Sequence, residues 1–348
     1  MTDIRWEYYP LVARRKHTRN WLQIQGDLLL RPKTIDAYGR SLNDFLTFCE
    51  KAGVVPETIT RDQVALYVHD LAMRPNPKGN AILRIDTGMG LSNSTMKMRI
   101  TVVRLFCDYL VEHQLRADNP VGRGHYVPGK GFAGTRDRGL IPLHKKLPWI
   151  PSDSDWQNIL RALKGDLLRN QVMLLLAYDG ALRREELVTL SMSDFDVAYR
   201  QVRIRAEHAK NGRERVVGYG KVTSRLLEAY LRRRRELSSR PGPLFLSESH
   251  RHFAGPLSLV MWSKIVEDMA DRASLPRFTT HTPRHLRLTH MARAGLDLHQ
   301  IATYAGHASL ETTLQYLHLS GIELTEAVSK SLAGFEQWIE VFLGEDRP

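Results

Sequence analysis

The chain has 348 residues, 43% hydrophobic and 25% charged, which fits a globular protein with room for two ordinary domains. Fifty Lys and Arg against 38 Asp and Glu leave a formal charge of +12, a balance that favours a polyanionic partner through phosphate contacts and counterion release. No run of about 18 apolar residues predicts a membrane span, no apolar stretch near the N-terminus reads as a secretory signal, and Cys49 and Cys107 suit reduced core thiols.

Residues 1–30 form a basic lead-in with the cluster Arg14-Arg15-Lys16 and little periodicity. From Pro32 the pattern turns helical, with Ile35, Tyr38, Leu42, Phe45 and Leu46 on one face, and Gly53 is its expected end. Thr60 is a candidate N-cap for a second helix through Val64, Tyr67 and Leu71. Residues 74–93, with two Pro and three Gly, read as a long loop carrying Lys78 and Arg84. A third helix starts near Ser94 and runs through Ile100, Val103, Phe106 and Leu110, and Asn119-Pro120 marks the end of this part of the chain. Residues 31–119 are therefore expected to form a small all-helical domain.

The stretch 120–150 is rich in Gly, Pro and Lys/Arg and reads as a basic linker. A second domain, 151–320, opens at Ser152-Asp153-Ser154, three candidate caps for the helix containing Trp156, Ile159 and Leu160. An apolar helix through Val172–Ala177 follows and should be central. Gln201–Arg205 alternates, Arg215–Tyr219 is β-rich, and Asn211-Gly212 between them signals a hairpin. Beyond Tyr219 the pattern is helical almost to the end. In residues 321–348 the apolar positions Leu324, Val328, Leu332, Phe335 and Trp338 recur at helical spacing, so a C-terminal helix docks either on its own chain or on a neighbouring protomer. The fold class is mainly α with a small β-hairpin or sheet.

Chemistry-bearing residues concentrate in the second half. Arg183 follows Gly180 and has Glu186 one helical turn later; alone, Arg-x-x-Glu is an ordinary surface pair. Lys210 sits beside the Asn-Gly turn, where most lysines are merely solvated. His281-Thr-Pro-Arg284 is stronger, because Thr282 can cap a helix with Pro283 in its first turn, which aims Arg284 and free backbone N–H groups at an anion. Zinc binding by His281, His285 and His290 is the rival reading. The spacings of 4 and 5 do not put all three on one helix face, and no cysteine completes the set. Gly306 should end the helix before His307, and Tyr316 lies in the following helical stretch. The run Arg232–Arg235 is a candidate polyanion contact or a solvated helix face.

In this order and context, Arg183, Lys210, His281, Arg284, His307 and Tyr316 resemble the tyrosine recombinases, the phage integrase family. His307 lies 23 positions after Arg284 and Tyr316 nine positions after His307, as that family shows. The box Arg183-x-x-Glu186-Leu187, the hairpin Lys210-x-Gly-x-x-Arg215 and the helix beginning Thr34-Ile-Asp-Ala-Tyr38 add to the likeness, which spans roughly residues 30–320. One departure is an extra residue, Ala181, between Gly180 and Leu182-Arg183.

The resemblance implies a two-domain DNA clamp, a SAM-like core-binding domain plus a catalytic domain. It implies a site-specific recombinase acting in integration, excision, transposition or resolution of mobile elements or chromosomes. Tyr316 would attack the scissile phosphodiester and form a 3′-phosphotyrosyl link. Arg183 and Arg284 would hold the phosphate, Lys210 would protonate the leaving 5′-oxygen, and His281 would assist proton transfer at the nucleophile. His307 would bond the phosphate and Glu186 would orient its neighbours. No cofactor and no metal are implied. The implied partner is double-stranded DNA at a specific site, bound as a dimer per site and a tetramer in synapsis, in a cytoplasmic, nucleoid-associated bacterial protein. The core-binding and hairpin patterns speak against a type IB topoisomerase, and Tyr316 speaks against a silent DNA-binding protein. The short lead-in suits a simple recombinase without an arm-binding domain.

Overall fold

The computed structural model describes residues 4–74, 91–121, 141, 147–209 and 212–320, together with 329 and 332. The chain divides into two compact units, Met1–Lys145 and Lys146–Pro348.

The first unit is helical: α1 (Pro10–Arg14), α2 (Lys16–Asp27), α3 (Pro32–Ala52), α4 (Arg61–Met73) and α5 (Asn93–Glu112). Local chemistry sets the ends of these helices. Pro32 opens α3 in its first turn, and Gly53 at φ 66° turns its N–H back onto the carbonyls of Cys49 and Glu50. Thr60 and Gln63 form a reciprocal capping box at α4, and the Ser92 hydroxyl accepts from the Thr95 N–H at α5. Leu42, Phe45 and Leu46 of α3, Tyr67 and Leu71 of α4, and Val103, Phe106 and Leu110 of α5 form the core. Each such side chain contributes about 1.5–3 kcal/mol by leaving water.

Residues 4–30, within the stretch expected as a lead-in, instead complete this core. Trp21 of α2 is buried, stacked on Tyr38 and edge-on to Phe106, and Tyr9 donates to Asp36 at 2.8 Å. Gly39 of α3 makes room for Tyr9, since a Cβ there would lie 2.8 Å from its ring. The periodicity is hidden because half of the face that α2 buries consists of Thr18 and Gly26, which no apolar count registers. The stretch expected as a linker also contributes, because Val121 and Ile141 are buried in the same core. Residues 75–90, 122–140 and 142–146, with Lys78 and Arg84, lie outside the described residues.

The second unit contains α6 (Asp153–Leu163), α7 (Leu168–Asp179), α8 (Arg184–Val188), β1 (Phe195–Asp196), β2 (Gln201–Ile204), β3 (Arg215–Gly218), α9 (Lys221–Leu237), α10 (Leu259–Arg272), α11 (Thr282–Arg293), α12 (Leu298–Ala305) and α13 (Glu311–Ser320). The strands form an antiparallel sheet in the order β1-β2-β3, with Val202 opposite Val217 and Ile204 opposite Arg215. As expected, α7 is central: Val172, Met173, Leu174 and Leu176 are buried with Val202 and Val217 of the sheet, Leu227 and Tyr230 of α9, and Trp262 and Val266 of α10.

The link from β2 to β3 is ten residues long and not a two-residue turn. Gly212 does take the left-handed conformation, at φ 66°, while Lys210 and Asn211 lie outside the described residues. In the arginine run of α9, Arg234 is buried and donates to the carbonyls of Pro243, Ser238 and Arg240, so it closes a helix end. Arg233 pairs with Glu236 and Glu248. Arg232, Arg233 and Arg235 are all exposed, and Arg234 is the buried member of the run.

Candidate active site

Arg183 stands at the N-cap of α8, one residue after Leu182 is anchored in the core. Its Nη1 donates to Glu186 Oε1 at 2.8 Å and its Nη2 to the Gly306 carbonyl at 2.9 Å. Glu186 is fully buried and also accepts from the Arg183 backbone N–H and from both terminal nitrogens of Arg215, at 3.0 and 2.7 Å. Burial opposes the charge of Glu186, but the Arg215 hydrogen bonds, then the Arg215 charge and Arg183, override it and hold the carboxyl at about 2.

Arg215, at the first position of β3, joins this cluster although in the sequence it stands only as part of a hairpin pattern. Its side chain is 7% exposed, and its Nε donates to the Tyr304 carbonyl at 3.0 Å. Gly306 at φ 61° ends α12 and lets this guanidinium pack against it, since a Cβ there would lie 3.0 Å from Arg215 Nη1. The signal available in the sequence was the five-residue offset of Arg215 from Lys210.

Arg284 lies in the first turn of α11, where Pro283 also sits, but the N-cap residue is His281 and not Thr282. The Thr282 hydroxyl instead accepts from the Thr279 N–H at 2.9 Å. Arg284 is 4% exposed and reaches the Ala181 carbonyl at 2.5 Å, the Ala305 carbonyl at 2.7 Å and His307 Nε2 at 2.9 Å. Burial, then the Arg183 charge, lowers its guanidinium to about 9. The extra residue in the turn before Arg183 has a defined place. Gly180 keeps a negative φ of −82° and Ala181 takes the left-handed φ of 47°, which turns its carbonyl to Arg284. This costs roughly 1–2 kcal/mol for a residue with a Cβ. Gly180 is needed for closeness, because a Cβ there would meet Val217 Cγ2 at 2.9 Å.

His307 bonds Arg284 through Nε2 and Thr313 Oγ1 through Nδ1 at 2.8 Å, which makes Nε2 the acceptor and Nδ1–H the donor. Burial first, then Arg284, Arg183 and Arg215, hold its imidazolium at about 3. The ring lies nearly parallel to Tyr316, 6.1 Å away and 10° inclined. Tyr316, on α13, is 1% exposed in a small cluster with Ala181, Leu288, Ile301 and Ala305. Burial raises its phenol, and Arg284, Gln315 and Arg183 act against that rise.

The imidazole within hydrogen-bond distance of this phenol is that of His285, not His281. Its Nδ1 is 2.8 Å from the Tyr316 hydroxyl. Burial, then His281 and Arg284, lower His285 to about 4. His281 stands exposed at the mouth of α11, where crowding by protein atoms, then Arg184, Arg284 and Arg183, keep its ring below the usual histidine range. His290, the third ring of the zinc reading, bonds the Tyr178 hydroxyl at 2.7 Å. Among the described residues no three His, Cys, Asp or Glu side chains converge as a metal set. Five of the six expected catalytic residues thus gather around α8, α11, α12 and α13, and Lys210 lies outside the described residues.

These shifts make stability depend on pH with a definite sign. His285 and His307 bind protons near pH 6.5 when unfolded and only near about 4 and about 3 when folded. Their contribution is therefore complete above pH 6.5 and is lost as pH falls through the folded values. Glu186 acts below that window, from 4.5 down to about 2. Urea unfolding between pH 7 and pH 4 should show stability falling by several kcal/mol with net proton uptake on unfolding. A flat profile over that range would contradict the burial of the two imidazoles.

A buried tyrosine, two arginines anchored on backbone carbonyls and a neutral histidine thus meet among α8, α11, α12 and α13. Residues 152–321 match the model of the phage integrase family. Residues 152–321 form a domain of that family, the tyrosine recombinases, enzymes that cleave and rejoin DNA, and the function is site-specific DNA recombination. It is 25% identical over 302 residues to tyrosine recombinase XerD of Halalkalibacterium halodurans, covering 84% of this chain and 88% of that protein. To tyrosine recombinase XerC of Pelotomaculum thermopropionicum it is 29% identical over 253 residues, 70% and 76% of the two chains. Among solved structures, XerH site-specific recombinase bound to a palindromic difH substrate is similar at TM-score 0.62 and 20% identity, over 85% of this chain and 79% of that one. The Tn1549 transposon integrase in complex with circular intermediate DNA is similar at TM-score 0.60 and 14% identity, over 85% and 94%. No described helix is long and apolar enough to cross a membrane.

Proposed function

We propose that the chain recombines double-stranded DNA at a specific site by metal-independent transesterification, with Tyr316 as nucleophile. The observation that carries this reading is the contact chain Arg183–Gly306–His307–Tyr316, closed by Arg284 on His307. It brings two guanidinium groups, an imidazole and a phenol from four helical segments to one place. The Tyr316 oxygen attacks phosphorus, the 5′-oxygen leaves, and the 3′-phosphotyrosyl link stores the bond energy for a second 5′-hydroxyl. Arg183 and Arg284 bind the non-bridging oxygens and stabilise the charge of the pentacoordinate transition state. Lys210 protonates the leaving oxygen, His281 contacts the phosphate at the mouth of α11, and His307 exchanges its bond to Arg284 for one to the phosphate. Glu186 keeps Arg183 in place. The helical unit Met1–Lys145 and the basic stretch 120–150 add further DNA contacts, with two protomers per site and four in synapsis. The protein works in the cytoplasm on the nucleoid.

Trapping on a nicked suicide substrate in EDTA tests this reading. The wild-type chain should give a covalent protein–DNA band, and Tyr316→Phe none with unchanged DNA binding. Binding without any covalent band on a verified site would leave a DNA-binding protein and not a recombinase of this mechanism.

A further inference from the structure

The hydrogen bond between His285 and Tyr316 is not used by any role so far described. Resting on the assignment of Tyr316 as nucleophile, we propose that His285 is a catalytic residue, the proton acceptor for the Tyr316 hydroxyl during strand cleavage and the proton donor to it during rejoining.

Geometry comes first. His285 Nδ1 lies 2.8 Å from the phenolic oxygen, within the distance a general base needs. His281 has no such contact, and His307 has both ring nitrogens engaged, one on Arg284 and one on Thr313. His285 is therefore the imidazole on the attacking atom. It is also held in place. His285 follows Arg284 on α11, whose own bonds to Ala181 and Ala305 fix that turn, and the His285 carbonyl accepts the Thr289 hydroxyl at 3.0 Å one turn further on. Tyr316 is itself held, buried in one apolar cluster with Leu288 and Ile301.

The protonation state suits the role. Burial and the neighbouring positive groups keep the ring neutral at pH 7, so its Nδ1 lone pair is open to the phenol. The phenol, raised by burial, gives up its proton only as the bond to phosphorus forms, which is where a positioned base lowers the barrier. As the Oη–P bond forms, the phenolic proton passes to Nδ1. The P–O5′ bond breaks and the 5′-oxygen takes its proton from the general acid on the leaving side. In the reverse step a 5′-hydroxyl attacks phosphorus, and the imidazolium returns its proton to the departing phenolate.

The test is single-turnover formation of the covalent complex by His285→Asn, whose side chain hydrogen-bonds but does not take up a proton. The rate should fall by about 10²- to 10⁴-fold with DNA affinity and unfolding midpoint unchanged. The same fold-loss should persist on a substrate with sulfur in place of the leaving 5′-oxygen, because a thiolate departs without protonation and bypasses the acid. His285→Ala should regain rate when imidazole is added. Activity of His285→Asn within threefold of wild type would overturn the proposal. So would a defect that disappears on the sulfur substrate, which would put the ring on the leaving-group side. For variants that lose the native fold the imidazole arm decides, and absence of rescue counts against the role. A covalent band surviving in Tyr316→Phe would instead overturn the assignment of Tyr316, on which this inference rests.

Discussion

Arg284→Ala is expected to slow covalent complex formation by at least about 10²–10³-fold while leaving folding stability within a few kcal/mol of wild type, because one preorganised donor to developing charge is worth that much. The two effects separate because of what Arg284 touches. Its guanidinium is nearly fully buried, yet its partners are the carbonyls of Ala181 and Ala305 and a neutral imidazole, not a carboxylate. Loss of the side chain leaves two carbonyls without donors, at roughly 1–3 kcal/mol each, but it also removes a buried cation. The depression of its guanidinium to about 9 shows that burying this charge is costly. Such a cation persists where function requires it, and an incoming phosphate is the counter-ion it lacks. Arg284→Lys should fail nearly as badly, because an ammonium does not hold two carbonyls and a phosphate in one plane. Single-turnover trapping beside urea titration checks the prediction. A variant retaining more than a tenth of the wild-type rate would put Arg284 outside the transition state.

The site was legible in the sequence where local chemistry announces it. Gly306 before His307 and Pro283 before Arg284 are backbone signals that survive without tertiary context. The partners of these residues were not legible. Nothing local says that Ala181 turns left-handed to serve Arg284, or that Arg215 reaches from β3 to a carboxylate on α8 and a carbonyl on α12. Those contacts join positions 29 to 103 residues apart, and only folding brings them together. The hydrogen-bond partner of Tyr316 is hidden from the sequence for the same reason. His281 and His285 are one helical turn apart, and which ring meets the phenol depends on where α13 packs.

The first unit shows a different limit. The helices α3, α4 and α5 were readable because Leu, Phe and Val carry their faces. The helix α2 was not, because Thr18 and Gly26 fill buried positions that contribute no hydrophobic signal. Thr18 is accommodated by donating to the Val12 carbonyl at 2.9 Å, a bond that sequence periodicity does not reveal.

Arg215→Met is expected to destabilise the second unit by about 3–5 kcal/mol, and Glu186→Leu added to it should restore a large part of that loss. Arg215 supplies two of the hydrogen bonds that hold the buried Glu186 carboxylate, so its removal leaves an ion with Arg183 as its remaining cation. Once the carboxylate is replaced as well, no uncompensated charge remains, and two apolar side chains fill the space. Catalysis should not follow stability. In the double variant Arg183 keeps its bond to Gly306 but loses the carboxylate that fixes its Nη1, so covalent complex formation should stay slow even where the fold has recovered. Denaturant midpoints for the two single variants and the double variant yield the coupling directly. Additive losses would mean that Arg215 and Glu186 act independently. Recovery of both stability and rate would mean that the network serves folding alone. The expected result, stability largely restored and rate still lost, would show that the fold can do without this buried ion network and that the network is needed to aim Arg183.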